Sequence, residues 1–477
     1  MNELNLKQQA IKTIDFQKDK RYLHIDYPLN ETVKKALLMR WLDPKLVAKH
    51  RWLPFIQYNI KMQKYDGHIV HVKLRKITLP SHTDGWLFKF YAEMLNVKYE
   101  DYLTDHHLQS VPIGYRKHHS SLLGAKEVID FISQQPSCWI IKGDFKNFFD
   151  NLRHQLLRDQ LSKVLYGQSQ PLPADWYNVI TGLERYRFVS RHKISALKTD
   201  GVHGSYFKNF HEYNQAVRTK QLHVSHPNRL GIPQGTAISG ALANTYMIDF
   251  DEQADQLAAS YKGIYRRYSD DFIVVVPKQK ADFKQVERFK QQLIALAQTQ
   301  LHLEIEAAKT KTLRYENQQI YQGNSQRPTQ LNYLGISFSG KKVTLIDKSF
   351  YREYYRGKRQ MFYLGLYSNA LRAAQQGYGP QWLAQVPSKY HQAAAMALQH
   401  IERDGINNVP HRRSITTRYL PIRPVHRKNF LDYAMKAQRI FTANQNSIAY
   451  QVTILHDARR IIAHEGRYLH YIKETLK

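Results

Sequence analysis

Tyr268-Ser269-Asp270-Asp271 lies between two apolar stretches, residues 264–267 before it and residues 272–276 after it. This pattern predicts two antiparallel strands joined by a tight turn that presents two adjacent carboxylates. A third carboxylate, Asp144, ends another apolar stretch that begins at Cys138. Two strands that bring acids to one point can hold two divalent cations, the arrangement used for in-line nucleotidyl transfer. Adjacent acids in a turn are usually solvated, so the interpretation depends on the surrounding segments.

Four further segments surround these acids in a fixed order: 144–152, 231–240, 308–311 and 331–338. They contain an Asp-x3-Phe-Phe block, a Pro-Gln-Gly block, a lysine block and a Leu-Gly block. With Tyr-x-Asp-Asp between the second and third, the set resembles the palm of a reverse transcriptase over roughly residues 70–340. The resemblance implies an RNA-directed DNA polymerase, which is a nucleotidyltransferase.

The expected fold class is α+β, because short strands alternate with helical stretches around a carboxylate hairpin. The resemblance implies a right-hand polymerase fold in three parts. Residues 1–50 are expected to form an N-terminal helical extension, and residues 51–345 the fingers and palm. Residues 346–477 are expected to form a basic, helical, thumb-like domain.

The resemblance assigns catalysis and metal binding to Asp144, Asp270 and Asp271. It also implies that Phe145 lends its backbone carbonyl to a metal ion. Mg²⁺ prefers hard oxygen ligands and keeps part of its water shell, so two or three carboxylates plus nucleotide phosphates suffice. Two Mg²⁺ ions are therefore expected, with Mn²⁺ as the alternative.

Four residues are expected to contact the incoming nucleotide. Phe149 matches the family position beneath the sugar, where a bulky ring collides with a ribose 2′-hydroxyl and favours deoxynucleotides. Arg75 resembles the fingers arginine that neutralises the triphosphate, and Gln234 lies in the Pro-Gln-Gly block next to the nucleotide or template base. Lys309 fits the lysine that holds phosphate or gives a proton to pyrophosphate.

Charge indicates a polyanionic partner. The chain of 477 residues has 70 Lys and Arg against 40 Asp and Glu, a formal charge of +30, and residues 345–477 contain 21 basic against 8 acidic residues. Such an excess is typical of nucleic-acid-binding proteins. The resemblance implies nucleic-acid contacts by Arg116 and Lys117, which lie in a Tyr-Arg-Lys block before the catalytic aspartate. Charge predicts further contacts by Arg412, Arg413, Arg423, Arg427 and Lys428, in a basic, proline-punctuated loop over 411–428.

Periodicity predicts several other elements. A strand is expected over residues 68–77, ending before Pro80. Helices are expected over 33–42, 86–95, 120–134, 282–299, 391–398, 429–442 and 446–476. The stretch between Asp144 and the Pro-Gln-Gly block is expected to carry an extra helical layer.

Cysteine usage and hydropathy bear on location. The single cysteine, Cys138, excludes an intramolecular disulfide and is expected to be a buried structural thiol. Neither a signal peptide nor a membrane-spanning run is apparent. A cytoplasmic protein without membrane contact is expected.

Within the family, the features of retron and group II intron enzymes are not apparent. Gly240 follows Ser239 where many relatives have proline, which is similar to the bacterial defence-associated and abortive-infection (unknown-group) reverse transcriptases. That resemblance implies an antiphage role, dNTPs, a DNA product, a noncoding RNA as template or scaffold, and a homo-oligomer or partner protein. The alternatives are a retron- or intron-like enzyme, a protein-primed or untemplated DNA polymerase, an RNA polymerase, and a non-catalytic RNA-binding scaffold. Template and primer stay open.

Overall fold

A computed structural model describes residues 3–17, 22–65, 70–197, 204–226, 229–405, 412–421, 429–443 and 450–476. The chain divides into two units. Unit 1 contains Met1–Ser120 and Ile140–Thr312, and unit 2 contains Ser121–Trp139 and Leu313–Lys477. These units do not use the boundaries expected near residues 50 and 345, which stay predictions.

The described helices are α1 Glu3–Thr13, α2 Glu31–Trp41, α3 Pro44–Ala48, α4 His82–Asp105, α5 Ser121–Ser133, α6 Phe148–Asn151, α7 His154–Tyr166, α8 Ala174–Glu184, α9 Arg191–Ala196, α10 Phe210–Arg218, α11 Ser239–Tyr246, α12 Ile248–Ser260, α13 Phe283–Leu296, α14 Asp347–Gln375, α15 Gly379–Gln385, α16 Ser388–Asp404, α17 Arg412–Tyr419, α18 Phe430–Thr442 and α19 Ile454–Thr475. A π-helical turn, Ala297–Leu301, continues α13.

The described strands are β1 Phe55–Tyr65, β2 Val70–Leu79, β3 Ser137–Asp144, β4 Phe188–Ser190, β5 Ile264–Tyr268, β6 Asp271–Pro277, β7 Lys311–Glu316, β8 Gln319–Gln322, β9 Pro328–Thr329, β10 Leu331–Tyr333, β11 Ile336–Phe338, β12 Lys342–Leu345 and β13 Gln451–Val452. Most of them occur in unit 1 or in the first part of unit 2, and β13 is the one described strand that follows Leu345.

Unit 1 carries two groups of strands. The long hairpin β1–β2 pairs on its other edge with β4, which runs parallel to β1. In the second group β5 pairs with β6, and the part of β3 from Ile140 onward lies next to β6. The five residues from Phe272 to Val276 are all buried, which explains why this strand reads as a continuous apolar run instead of an alternating one.

Helix α4 is the central helix of unit 1. Pro80 ends the preceding strand region, and the Ser81 hydroxyl accepts a hydrogen bond from the Asp84 N–H as the helix begins. Twelve of its residues are buried, among them Trp86, Phe88 and Tyr91. The predicted helix over 86–95 is therefore correct in type but is only the middle of a longer helix. Helices α7 to α10 form the extra helical layer expected before the Pro-Gln-Gly block.

Unit 2 contains a sheet in the order β10-β11-β12-β13 and a group of long helices. Helix α14 packs along α19, and glycines allow the close approach: a Cβ on Gly365 would lie 2.7 Å from Ile472 Cγ2. The core between them and α16 includes Leu366, Trp382 and Ile472. Burial raises the pKa of the Cys138 thiol, so the prediction of a buried structural cysteine is confirmed.

Near the C-terminus one prediction was wrong, and another was correct in type but not in its first residue. Residues 412–419, expected to be part of a loop, form helix α17. The helix expected over 446–476 begins only at Ile454, because Gln451 and Val452 pair in parallel with Lys342 and Val343. That pairing joins segments more than a hundred residues apart, so no local pattern reports it. Among the described helices, none combines the length and apolarity that a bilayer crossing needs.

Glu465 is an unusual group in the contact between α14 and α19. It is 1% exposed, and neither carboxyl oxygen has a hydrogen-bond partner among the described residues. A Cβ on Gly357 would lie 1.8 Å from Glu465 Oε1, so glycine is required opposite this carboxyl. Burial, with the nearby Glu353 carboxylate, raises the Glu465 pKa to about 9. The native chain therefore keeps this carboxyl protonated at neutral pH.

Glu465→Gln should make unit 2 more stable at pH 8 by about 1–3 kcal/mol, since one pKa unit corresponds to about 1.4 kcal/mol. The unfolded chain loses the Glu465 proton near the ordinary value of 4.5, whereas the folded chain keeps it up to about 9. The natural chain therefore loses stability as pH rises through this window, and the amide does not. Calorimetric melting at pH 5 and pH 8 checks this. An equal effect at both pH values would contradict it.

Candidate active site

The β5–β6 hairpin closes on a two-residue turn. Tyr268 pairs with Asp271, which leaves Ser269 and Asp270 at the tip, and Ser269 adopts a left-handed backbone with φ 59°. Arg267 holds this turn from behind: its Nη1 donates to the Ser269 carbonyl at 3.0 Å. The two carboxylates are thus presented by a tight hairpin, as predicted.

Asp144 is joined to this tip through the backbone. The N–H of Phe145 donates to the Asp270 carbonyl at 3.0 Å, and the Asp144 carbonyl accepts from the Glu306 N–H at 2.8 Å. Gly143 makes the approach of β3 and β6 possible, because a Cβ there would lie 2.3 Å from the Phe272 ring. The two strands predicted to deliver acids to one point therefore do so.

The carboxyl groups at the site repel one another. Burial raises the Asp270 pKa, and the adjacent Asp144 carboxylate, which lies within hydrogen-bonding reach, raises it further. Burial also raises the Asp271 pKa to about 6, with Lys142 opposing the shift and both other aspartates adding to it. Perturbed carboxyl pKa values of this kind are concentrated at functional sites.

Two lysines provide the nearest positive charge. Lys309 Nζ lies 2.7 Å from Asp144 Oδ2 and 3.9 Å from Glu306, and the hydrogen bond to Asp144 raises the Lys309 pKa. Lys142 Nζ lies 4.0 Å from Asp271 Oδ1. Lys309 was expected to meet nucleotide phosphate; the structure pairs it with the Asp144 carboxylate, and the contact with phosphate stays a prediction.

The carboxyl groups fit divalent cations. Among the described residues, no three His, Cys, Asp or Glu side chains form a ready-made metal cluster. Mg²⁺ does not need one, since it is usually bound by one or two carboxylates together with water and substrate phosphates. The crowded Asp144 and Asp270 carboxyls have the oxygen donors and the unbalanced charge that such an ion would meet. Phe145, whose carbonyl was expected to assist, has a buried side chain.

Phe149 lies at the base of the site, in the short helix that follows Asp144. Its side chain is 9% exposed, and its carbonyl accepts a hydrogen bond from the Ile232 N–H at 2.9 Å. Gly231 has φ +82°, and a Cβ there would lie within 2.7 Å of the Phe149 carbonyl oxygen. Glycine in the Pro-Gln-Gly block is therefore what allows this block to pack on the Phe149 turn.

Arg75 and Gln234 meet in the structure. Arg75 Nε donates to Gln234 Oε1 at 3.0 Å, and the Thr78 N–H donates to the Gln234 carbonyl at 2.9 Å. Gly235 has φ +125°, and a Cβ there would lie 2.7 Å from the Thr78 carbonyl oxygen. The β1–β2 hairpin and the Pro-Gln-Gly block thus place both predicted nucleotide contacts side by side.

Arg116 does not fit the predicted contact with nucleic acid. Its side chain is 3% exposed, and Nε and Nη2 form a bidentate ion pair with Glu100 at 2.8 and 2.6 Å. Nη1 donates to the Pro112 carbonyl at 2.8 Å. Because its donors are engaged inside the protein, Arg116 is a structural residue here. Its neighbour Lys117 pairs with Glu93 but stays 48% exposed.

The remaining predicted contacts are in the C-terminal part. Arg412 and Arg413 begin helix α17. Arg423, Arg427 and Lys428 lie outside the described residues. Nucleic-acid binding by these five residues stays a prediction.

Comparison with known proteins places the chain. A family model described as reverse transcriptase (RNA-dependent DNA polymerase) matches residues 71–338, which is more than half of the chain. The chain belongs to the reverse transcriptase family. Its reverse transcriptase domain has the α+β right-hand polymerase fold that was expected. Reverse transcriptase domains generally use divalent metal ions.

Two solved structures match the chain at low sequence identity. An apo telomerase from Candida tropicalis, truncated from the C-terminal domain, matches with 11% identity and a TM-score of 0.40 over 65% of this chain and 59% of that chain. This reverse transcriptase thus spans less than two thirds of that telomerase. A telomerase from Candida albicans, in complex with the TWJ fragment of telomeric RNA, matches with 11% identity and a TM-score of 0.39 over 95% and 73%. No curated protein matches the chain.

The residues that hold the backbone around Asp144 and Asp270 were not among those predicted from the sequence. Arg267 is fully buried and pairs with Asp251 through Nε at 2.7 Å and Nη2 at 2.6 Å. A charged residue inside an apolar strand was the available signal, because such a residue needs a buried partner. Gly143, directly before Asp144, was a second signal, since glycine inside a strand often marks a close approach.

Asp270→Asn should lower DNA synthesis by at least about 100-fold, because the carboxylate that is predicted to bind a metal ion becomes a neutral amide. RNA binding should stay nearly unchanged, since Asp270 is no phosphate contact. The variant should melt at the same or a higher temperature, because the repulsion with Asp144 is removed. Extension of a labelled primer with Mg²⁺ checks this.

Glu304→Gln is the matched control. Glu304 pairs with Lys146 at 3.2 Å and its side chain is 60% exposed, so this substitution removes a nearby carboxylate without touching Asp144 or Asp270. It should retain synthesis. Full synthesis by the Asp270→Asn variant would remove Asp270 from the catalytic role.

Proposed function

We propose that this reverse transcriptase makes DNA by two-metal nucleotidyl transfer at Asp144, Asp270 and Asp271, on a noncoding RNA template or scaffold, in antiphage defence. The catalytic part of the proposal is supported by the hydrogen bond from the Phe145 N–H to the Asp270 carbonyl, which holds the Asp144 strand against the Asp270 turn. Lys309 lies 2.7 Å from Asp144 in the same place. The defence role is supported by the resemblance of its motif blocks, including Gly240 after Ser239, to defence-associated enzymes. A cytoplasmic location is part of the same proposal.

In the proposed reaction the 3′-hydroxyl of the primer attacks the α-phosphorus of a dNTP, and the bond to pyrophosphate breaks. The three aspartates would hold Mg²⁺, which when bound lowers the pKa of the hydroxyl and balances charge on the phosphates. Arg75, held by Gln234, would face the triphosphate. Lys309 would exchange its contact with Asp144 for one with the leaving pyrophosphate, to which it can give a proton.

Phe149 supports DNA over RNA as the product. Its ring packs against Phe148, with centroids 5.4 Å apart, and its backbone carbonyl accepts a hydrogen bond from the Ile232 N–H. A bulky ring in this position would collide with a ribose 2′-hydroxyl. The chain is therefore proposed to select dNTPs.

Phe149→Ala should raise the use of ribonucleotides relative to deoxynucleotides by at least about tenfold, because removing the ring opens space for the 2′-hydroxyl. Steady-state kcat/KM for dTTP and UTP on a poly(rA) template with an oligo(dT) primer measures the ratio. Phe210→Leu, which alters an exposed ring at the start of α10, serves as the control and should leave the ratio within about threefold of the natural value. An unchanged ratio for Phe149→Ala would place the sugar selection elsewhere.

Purification of the protein from its native host tests whether a noncoding RNA is bound to it. The nucleic acid that accompanies the protein is sequenced, and the complex is incubated with labelled dNTPs and Mg²⁺. A discrete bound RNA and labelled DNA complementary to it are the expected result. Labelled DNA covalently attached to the protein would indicate a priming side chain, and synthesis without any bound RNA would contradict a resident RNA template. Survival of phage-challenged cells with the natural chain and with Asp270→Asn tests the defence role.

A further inference from the structure

Tyr115 is an exposed aromatic residue in an unusual backbone conformation. It is 48% exposed and has φ 60°, in the left-handed region that a bulky side chain rarely adopts. Residues held in such conformations are often found at functional sites, where the surrounding structure enforces them. The strained backbone and the exposed ring of Tyr115 therefore indicate a functional role.

The backbone on both sides of Tyr115 is fixed. The Ile113 N–H donates to the Arg267 carbonyl at 2.7 Å, and the Gly114 carbonyl accepts from Asn244 Nδ2 at 2.8 Å in a buried hydrogen bond. Arg116 is locked to Glu100 as described above. These contacts hold the backbone on both sides of the left-handed residue.

Tyr115 lies in the nucleotide-selecting part of the proposed site. The Tyr115 ring meets the Phe149 ring edge-on, with centroids 6.4 Å apart and planes at 84°. Its centroid is also 6.4 Å from that of Tyr268, two residues before Asp270. Tyr115 thus connects the predicted sugar-selecting ring with the hairpin that presents the carboxylates.

Gly240 provides the space for this ring. A Cβ on Gly240 would lie 2.7 Å from Tyr115 Cγ and 2.8 Å from Cδ1. Gly240 is the second residue of helix α11, where alanine would otherwise be favoured. Glycine at this position, which departs from the proline of many relatives, is explained by the ring that lies against it.

We propose that Tyr115 is a specificity-determining residue that forms a side wall of the sugar site beside Phe149, with Gly240 as the positioning residue that admits it. The inference rests on the proposed function, since it needs a nucleotide bound above Phe149. The Tyr115 ring contacts the deoxyribose and holds the Phe149 ring from its exposed side. A ribose 2′-hydroxyl between the two rings would lose its water without gaining a hydrogen bond, which disfavours ribonucleotides.

The test uses the full chain and four variants: Tyr115→Ala, Tyr115→Phe, Gly240→Ala and the double variant Tyr115→Ala with Gly240→Ala. On poly(rA) with oligo(dT), Tyr115→Ala should raise the KM for dTTP about tenfold with kcat within about threefold, and should raise relative use of UTP about tenfold. Tyr115→Phe should behave like the natural chain, because it keeps the ring. Gly240→Ala should shift both quantities in the same direction as Tyr115→Ala.

The double variant decides whether Gly240 acts through Tyr115. Alanine fits a helix, so Gly240→Ala should have no further effect once the Tyr115 ring is absent, and the double variant should match Tyr115→Ala. An additional loss in the double variant would overturn the positioning role. An unchanged KM and an unchanged dTTP to UTP ratio in Tyr115→Ala would overturn the specificity role.

Equilibrium binding separates this inference from the proposed function. Calorimetric titration of dTTP and UTP, each with Mg²⁺, into the natural chain and Tyr115→Ala does not require turnover. A preference for dTTP that is lost in Tyr115→Ala supports the inference even if synthesis needs a further partner. Equal binding preferences in both proteins would overturn it. Absence of synthesis by the natural chain together with this preference would count against the proposed reaction alone.

Discussion

The closeness of the Asp144 and Asp270 carboxyl groups is the constraint around which unit 1 is arranged. Burial and the neighbouring carboxylate raise the Asp270 pKa, so the crowding of these two carboxyl groups opposes the folding of unit 1. It persists because the backbone holds it: the Phe145 N–H donates to the Asp270 carbonyl at 3.0 Å. The repulsion is what a divalent cation would relieve. The two neighbouring carboxyl groups thus lower the stability of the fold at the place where the proposed metal binding requires them.

A buried ion pair supports this crowding from behind. Arg267 and Asp251 are both 0% exposed, and the same arginine donates to Asn244 at 3.2 Å and to the Ser269 carbonyl at 3.0 Å. A buried guanidinium with its donors satisfied is rigid, because moving it would leave an unpaired charge inside the protein. Through these contacts one residue connects α11, α12 and the turn that carries Asp270. The arrangement explains why an apolar strand contains Arg267.

Some of the basic residues of this chain form internal ion pairs, and others lie on the surface. The excess of basic residues indicates a polyanionic partner, yet Arg116 and Arg267 are engaged in internal pairs and contribute nothing to the surface. A count of basic residues therefore overstates the positive charge available to nucleic acid. Lys309 represents an intermediate case, since it is 57% exposed and paired with Asp144.

The carboxylate hairpin, the strand leading to Asp144 and the family could be predicted from the sequence, because they depend on local apolar runs and on motif blocks that occur in a fixed order. The tertiary structure decided which side chains meet. Arg116 is equally basic in sequence whether it faces Glu100 or solvent, and only the packing of α4 against its loop selects Glu100. The pairing of Gln451 with Lys342 and the fit of Gly240 under Tyr115 likewise join distant residues. Local sequence carries no record of such distances, since they arise only when the chain closes on itself.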